Sequence, residues 1–308
     1  ATKGRSAMWV TAEQQNELDR QYEGFASFDS WADLDIDDLR WRSSADDLVA
    51  LRARTGEATW REAVENVARA GELDVSLLPD GDGRPPMSLT DTQPSWAQAA
   101  ITRGRAGVKA LYDAEADVRT LVFEVATSGA PVEEDAIRKL HREATRGQEG
   151  FVVADSDGSA GVLPLPGGEY KAHPNYGVGP DGTIFPFAPV DRTSTEVASL
   201  VAVLASPSFE SAHPVLGAAY ALDSLLRIHP FADANGRVAR ALASVYLCRA
   251  VGVPLIVSVE HRVLYLEAVV SRRNENRQSL VDFVFERSME AMDGVRICLS
   301  ANLGRHFT

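Results

Sequence analysis

Residues 211–251 read SAHPVLGAAYALDSLLRIHPFADANGRVARALASVYLCRAV. Two apolar runs flank a polar stretch, HPFADANGRVAR at 229–240. In the first run Val215, Ala218, Ala219, Leu222, Leu225 and Leu226 recur at helical intervals, so one stripe faces a core. Ser211 is the expected N-cap, and Pro214 is tolerated in a first turn. Pro230 disfavours helix at His229, which leaves that histidine held at the end of a buried helix. Phe231 reads as a core plug. The second run is ended by Gly252 and Pro254. Between the runs, Asp233-Ala234-Asn235-Gly236 is a tight turn that delivers a helix N-terminus. Its free N–H groups and positive dipole end suit an anion, phosphate above all.

The polar residues of the turn suit one chemistry. Arg237 and Arg240 are three apart on one helical face and can clamp a polyphosphate. Asp233 can hold Mg²⁺ against phosphates while the ion keeps its waters. Histidine, with an ordinary pKa of about 6.5, suits a hydroxyl nucleophile as base. Base, metal carboxylate, anion cradle and charge clamp are the parts of phosphoryl-type transfer. The same residues have a purely structural reading. His229 would be a helix-terminal cap, Asp233 and Asn235 turn formers, and the arginines a solvated face.

Composition narrows the field. The 308 residues are 45% hydrophobic and 24% charged, ordinary for one or two globular domains. A net charge of −13 argues against nucleic acid as a partner. So do acidic N-terminal segments such as DSWADLDIDD. Cys248 and Cys298 form no CxxC and no zinc-ligand spacing. Cys248 reads as a small core residue, which fits a reducing compartment. No apolar run reaches membrane-spanning length and no signal peptide is visible. The opening ATKGRSAM is set aside from fold reasoning.

Helical spacing predicts helices near 11–23, 44–55, 58–71, 96–103, 106–128, 132–146, 193–206, 212–228, 237–251, 260–273 and 278–295. All five tryptophans fall between Trp9 and Trp96 and are expected to anchor an N-terminal helical layer. Residues 78–95 read as a linker, and 150–190, punctuated by Gly and Pro, as a loop-rich hairpin. The GxGxxG at 177–182 lacks a following helix, and turn glycines explain it better than a dinucleotide site.

The stretch at 229–240 resembles the Fic-domain signature HxFx[D/E]GN[G/K]RxxR. His229, Phe231, Asp233, Asn235, Gly236, Arg237 and Arg240 fall in register, with Ala234 where the family usually has Gly. IRKLHREA (137–144) looks like the family's helix ending in a Leu-His pair. GGEYKAHPN (167–175) looks like its flap entrance, with Lys171 in place of Arg. The resemblance covers roughly 105–290. It implies an all-α fold, mainly helical, with a small β-hairpin flap over the site. The domains expected are an N-terminal helical region with linker at 1–94, a Fic domain at 95–296 and a tail at 297–308. Within the Fic domain the flap is placed at about 168–190.

The activity the resemblance implies is AMP transfer from ATP to a Ser, Thr or Tyr hydroxyl of a target protein. His229 would be the base and Asp233 the Mg²⁺ ligand. Asn235 and the backbone around Ala234 and Gly236 would hold the α- and β-phosphates, Arg237 would contact the β-phosphate side, and Arg240 the γ-phosphate. The flap, entered through Gly168, Tyr170 and Lys171, would align the target by strand addition. Ile184, Phe185 and Phe187 would pin the target side chain or, equally, pack the flap onto its own domain. Relatives of the fold transfer other nucleotides, phosphocholine or phosphate, or remove AMP, and a site disabled at Ala234 would leave a binding or scaffold protein. If Ala234 has positive φ, the conformation costs roughly 1–2 kcal/mol.

Many family members are restrained by an [S/T]xxxE[G/N] helix whose Glu pairs with the second motif arginine, here Arg240. Two stretches match it: Thr145 to Gly150 with Glu149, and Ser271 to Asn276 with Glu275. The usual N-terminal position, SWAQAAI at 95–101, has Ala99 and Ala100 in the Glu and Gly places. Self-inhibition, an antitoxin, self-modification and a homodimer are further expectations, as is a bacterial cytoplasmic setting.

Overall fold

A computed structural model describes residues 11–72, 105–148, 150–154, 160–178, 183–273 and 276–305. The apolar runs that flank the polar stretch fold as the two central helices, α8 (Pro214–Ile228) and α9 (Asn235–Val251). They are buried along most of their lengths because small residues, Ala218, Ala219, Ala239, Ala241 and Ala243, let neighbours pack from several sides. Ser211 does not cap α8. His213 does, its Nδ1 accepting from Val215 N–H at 3.2 Å, because Pro214 already fills the first helical position.

Around this pair stand α4 (Arg105–Ser128) and α5 (Glu134–Ala144) against α9, and α6 (Thr193–Leu204) against α8. A four-residue α7 (Pro207–Glu210) links α6 to α8. After α9 come α10 (Arg262–Arg273) and α11 (Arg277–Arg305), which packs on α8 and on the N-terminal helices. The stretch set apart as a tail from 297 is helical as far as Arg305.

The N-terminal layer comprises α1 (Ala12–Gln21), α2 (Asp38–Thr55) and α3 (Glu57–Glu72). Thr11 and Gln14 close a reciprocal capping box at the start of α1. Trp31 is fully buried edge-on against Tyr220 of α8, ring centres 5.6 Å apart, and Tyr220 Oη donates to Ala26 O at 3.0 Å. Trp41 packs against His213 at 5.2 Å. Arg119 of α4 holds Glu65 of α3 through two bonds of 2.8 and 3.0 Å, and this keeps the Glu65 carboxyl below its usual range despite burial. The predicted helix at 96–103 lies outside the described residues.

The region at 150–190 forms two hairpins rather than one. β1 (Gly150–Ala154) pairs antiparallel with β2 (Ala160–Pro164), and β3 (Tyr176–Val178) with β4 (Ile184–Pro186). The second hairpin occupies the place expected for the flap, and α1 lies against β4. Among the described residues the fold is all-α with two small hairpins.

Candidate active site

His229 ends α8 in a left-handed conformation, φ 51°, ψ 58°, with its N–H on Leu225 O at 2.9 Å. Pro230 stops the helix and the left-handed step turns the chain. The imidazole Nδ1 lies 3.2 Å from Leu226 O. A carbonyl can only accept, so the proton of the neutral ring sits on Nδ1 and the lone pair on Nε2. That is the state a base needs. The ring lies flat on Phe187, centres 3.8 Å apart and planes within 5°. Phe187 is only 4% exposed and packs the flap onto its own domain. Ile184 and Phe185 are half-buried on β4.

The loop after His229 is fixed from three sides. From within, Asn235 Oδ1 accepts from Phe231 N–H at 2.9 Å and its Nδ2 donates to Phe231 O at 2.8 Å. Both polar atoms of this buried side chain thus bond the loop backbone, so Asn235 shapes the turn. From the flap side, Lys171 N–H donates to Pro230 O at 2.9 Å, Asn175 Nδ2 to Phe231 O at 3.0 Å, and Lys171 Nζ to Asn175 Oδ1 at 2.6 Å. Burial pulls the Lys171 amine down to about 7, against the opposing pull of Asp19. Tyr170 leans on Phe231 at 5.6 Å. The flap-entrance residues therefore brace the motif loop.

From the third side comes His141 of α5, stacked on Phe231 at 3.9 Å. Its Nδ1 accepts from Gly168 N–H at 2.8 Å, so its Nε2 carries the proton and donates to Asp233 O at 3.2 Å. Burial holds this ring neutral, down to about 3, against its hydrogen bond to Asp233; the charges of Arg237 and Arg142 lower it further. Gly168 must be glycine on two grounds. Its φ is +81°, and a Cβ would meet Arg138 O at 3.0 Å.

The turn itself is Asp233-Ala234. Asp233 Oδ1 accepts from Ala234 N–H at 2.6 Å. Ala234 is left-handed, φ 63°, ψ 8°, the strained alternative of the two considered from sequence. It is the N-cap of α9 and offers no side-chain cap, so the helix start presents backbone N–H groups. Gly236 has negative φ, and a Cβ there would touch only Arg240 Nη1 at 3.5 Å.

Arg237 is half-buried. It donates to Ala144 O and, at 2.7 Å, to Gln148 Oε1, and burial pulls its guanidinium down to about 10. Arg240 lies over the Tyr265 ring at 5.7 Å. Among the described residues no carboxylate pairs with Arg240; Glu149 and Glu275 lie outside them. Ser271 and Asn276 close the α10–α11 connection, Asn276 N–H donating to Ser271 O at 3.2 Å.

One residue of the site had no sequence signal. Gln148, in the turn after α5, donates from Nε2 to Asp233 Oδ2 at 2.6 Å while accepting from Arg237. It falls at an unspecified position of the Thr145–Gly150 match, and only the fold brings it within reach of residues some 85 positions away.

The Fic/DOC family profile matches residues 131–247, a span that includes His141, Gln148, the flap and the whole motif loop. The chain carries a Fic domain. Over 132 residues it is 31% identical to the protein adenylyltransferase Fic of Drosophila persimilis, covering 43% of this chain and 25% of that protein. Over 81 residues it is 35% identical to the protein adenylyltransferase Fic of Aedes aegypti, covering 26% and 16%. The matches thus span a quarter or less of those relatives' length. Among solved structures it resembles a Fic domain containing signaling protein from Bacteroides thetaiotaomicron: TM-score 0.56, 19% identity, covering 85% of this chain and 97% of that one. It also resembles Fic-1 from C. elegans: TM-score 0.55, 19% identity, covering 82% and 70%. These two likenesses show the Fic fold. Among the described residues, no helix is long and apolar enough to cross a membrane.

Proposed function

We propose that this Fic domain transfers AMP from Mg²⁺–ATP to a hydroxyl side chain of a target protein, with His229 as general base. The observation that carries the reading is the tautomer of His229. Its Nδ1 proton is committed to Leu226 O, which leaves the basic nitrogen Nε2 on a ring clamped between a helix end and Phe187. The name of the curated relatives supports the same reaction.

In the reaction, Nε2 takes the proton of the target hydroxyl as its oxygen attacks the α-phosphorus of ATP. The bond from that phosphorus to the bridging oxygen breaks, and pyrophosphate leaves with the electron pair. The backbone N–H groups at the start of α9 face charge developing on the phosphates, and Arg237 and Arg240 add positive charge on the same helix.

The residues fit a magnesium ion of the kind that phosphates help to hold. Among the described residues no cluster of three or more His, Cys, Asp or Glu could cage a metal. Asp233 alone suffices for an ion that takes one carboxylate and completes its shell with phosphates and water. Each Asp233 carboxylate oxygen accepts one hydrogen bond, Oδ1 from Ala234 N–H and Oδ2 from Gln148 Nε2, which leaves acceptor capacity on both. When bound, Mg²⁺ would neutralise charge on the departing diphosphate.

Labelled ATP tests the reading against phosphate transfer. Label at the α-phosphate should enter protein and label at the γ-phosphate should not, with no incorporation for His229→Ala. Incorporation of γ-label would replace this proposal with kinase-type transfer.

A further inference from the structure

Gln148 is 8% exposed in the turn between α5 and β1. Its amide bridges two motif side chains of opposite charge. Nε2 donates to Asp233 Oδ2 at 2.6 Å, and Oε1 accepts from Arg237 Nη2 at 2.7 Å. Nε2 also lies 3.3 Å from Gly150 O, which ties the amide to the start of β1. The amide can face only one way, because a carboxylate accepts and a guanidinium donates.

Asp233 and Arg237 are four residues apart across a partly buried gap. Without Gln148 they would attract directly, and a bidentate pair would satisfy both. Such a pair would take the carboxylate face that a cation needs and draw the guanidinium away from a phosphate. A neutral amide in the gap satisfies one position on each and stands between them in place of a direct bond. Ala144 O holds the guanidinium from the α5 side and Ala234 N–H holds Asp233 Oδ1, so both ends of the bridge rest on backbone.

We propose that Gln148 is a positioning residue, a neutral crossbar that keeps Asp233 and Arg237 apart and presents both to a magnesium-bound diphosphate. The ligand rests on the adenylyl-transfer reading; the crossbar is a property of the ligand-free chain. The test therefore has ligand-free and ligand-bound arms. In urea denaturation of the free protein, Gln148→Met, Asp233→Ala and the double variant should be non-additive, the double variant being no less stable than the worse single one. Gln148→Glu would set a second carboxylate against Asp233, and Mn²⁺ alone should raise its melting temperature while leaving that of the wild type unmoved.

With a non-cleavable α,β-methylene analogue of ATP, Mg²⁺ should tighten binding to the wild type. In Gln148→Met that gain should fall about tenfold, the equivalent of one hydrogen bond to a charged group, while the Kd in EDTA stays unchanged. Loss of affinity to the same degree with and without Mg²⁺ would reduce Gln148 to a structural residue. Additive stabilities, or no Mn²⁺ response in Gln148→Glu, would overturn the crossbar. A wild type that binds no analogue at all would remove the adenylyl-transfer reading instead, and the two ligand-free arms would still decide the crossbar.

Discussion

Ala234 holds a backbone conformation that its own Cβ opposes. At φ 63° the side chain crowds the following carbonyl, a strain of roughly 1–2 kcal/mol that glycine does not carry. Ala234→Gly should therefore stabilise the protein by about 1 kcal/mol, part of the relief being lost to glycine's greater freedom when unfolded. Urea denaturation measures it, and a destabilised variant would mean that the methyl packs usefully in its buried place. The sequence showed that Ala234 was unusual but not the sign of its φ, which depends on how the loop closes. Asn235 shows the opposite limit: its identity matched the motif, but its bonds to the Phe231 backbone left no mark in the sequence. Gln148 was invisible because glutamine in a turn carries no pattern.

The motif loop is held by elements that meet only in three dimensions, and His141 is where they meet. One ring accepts from the flap entrance at Gly168, donates to Asp233 and stacks on Phe231. Protonating Nδ1 would set a second donor against Gly168 N–H. The folded chain refuses that proton down to about pH 3, whereas an unfolded histidine binds it near its ordinary pKa of about 6.5. Between those values the unfolded state holds more protons, so stability falls as pH falls from about 6.5 toward 3. Wild type should lose more stability between pH 7 and 4.5 than His141→Gln does, by an amount on the order of 1.4 kcal/mol per pH unit at most. Equal losses would show that His141 titrates normally. Helix periodicity located α5, α8 and α9 well, since their apolar stripes reflect burial directly. It gave one hairpin where there are two, because Gly and Pro mark turns without saying which strands pair.

At the scale of the molecule, the N-terminal layer and the Fic domain share one core. Trp31, Trp41 and Trp60 are buried, and Tyr220 of α8 and His213 at its start pack against the layer. Because every tryptophan lies in the first 96 residues, tryptophan fluorescence reports on this layer, while far-UV circular dichroism reports on all the helices. The two unfolding curves should coincide; a tryptophan transition at clearly lower denaturant would make the layer a separate unit. Trp31→Ala should lower the common midpoint, by about 3–5 kcal/mol in stability. The clustering of tryptophans made the layer legible, but its docking onto α8 is long-range and left no mark in local pattern.

The central claim is that this Fic domain moves AMP through His229. The most direct measurement is the intact mass of the purified protein after incubation with Mg²⁺–ATP, beside His229→Ala and with a candidate target protein present. The account predicts an increment of one AMP on the protein or its target that is absent with the variant. An increment that survives in His229→Ala, or one equal to a phosphate, would contradict it.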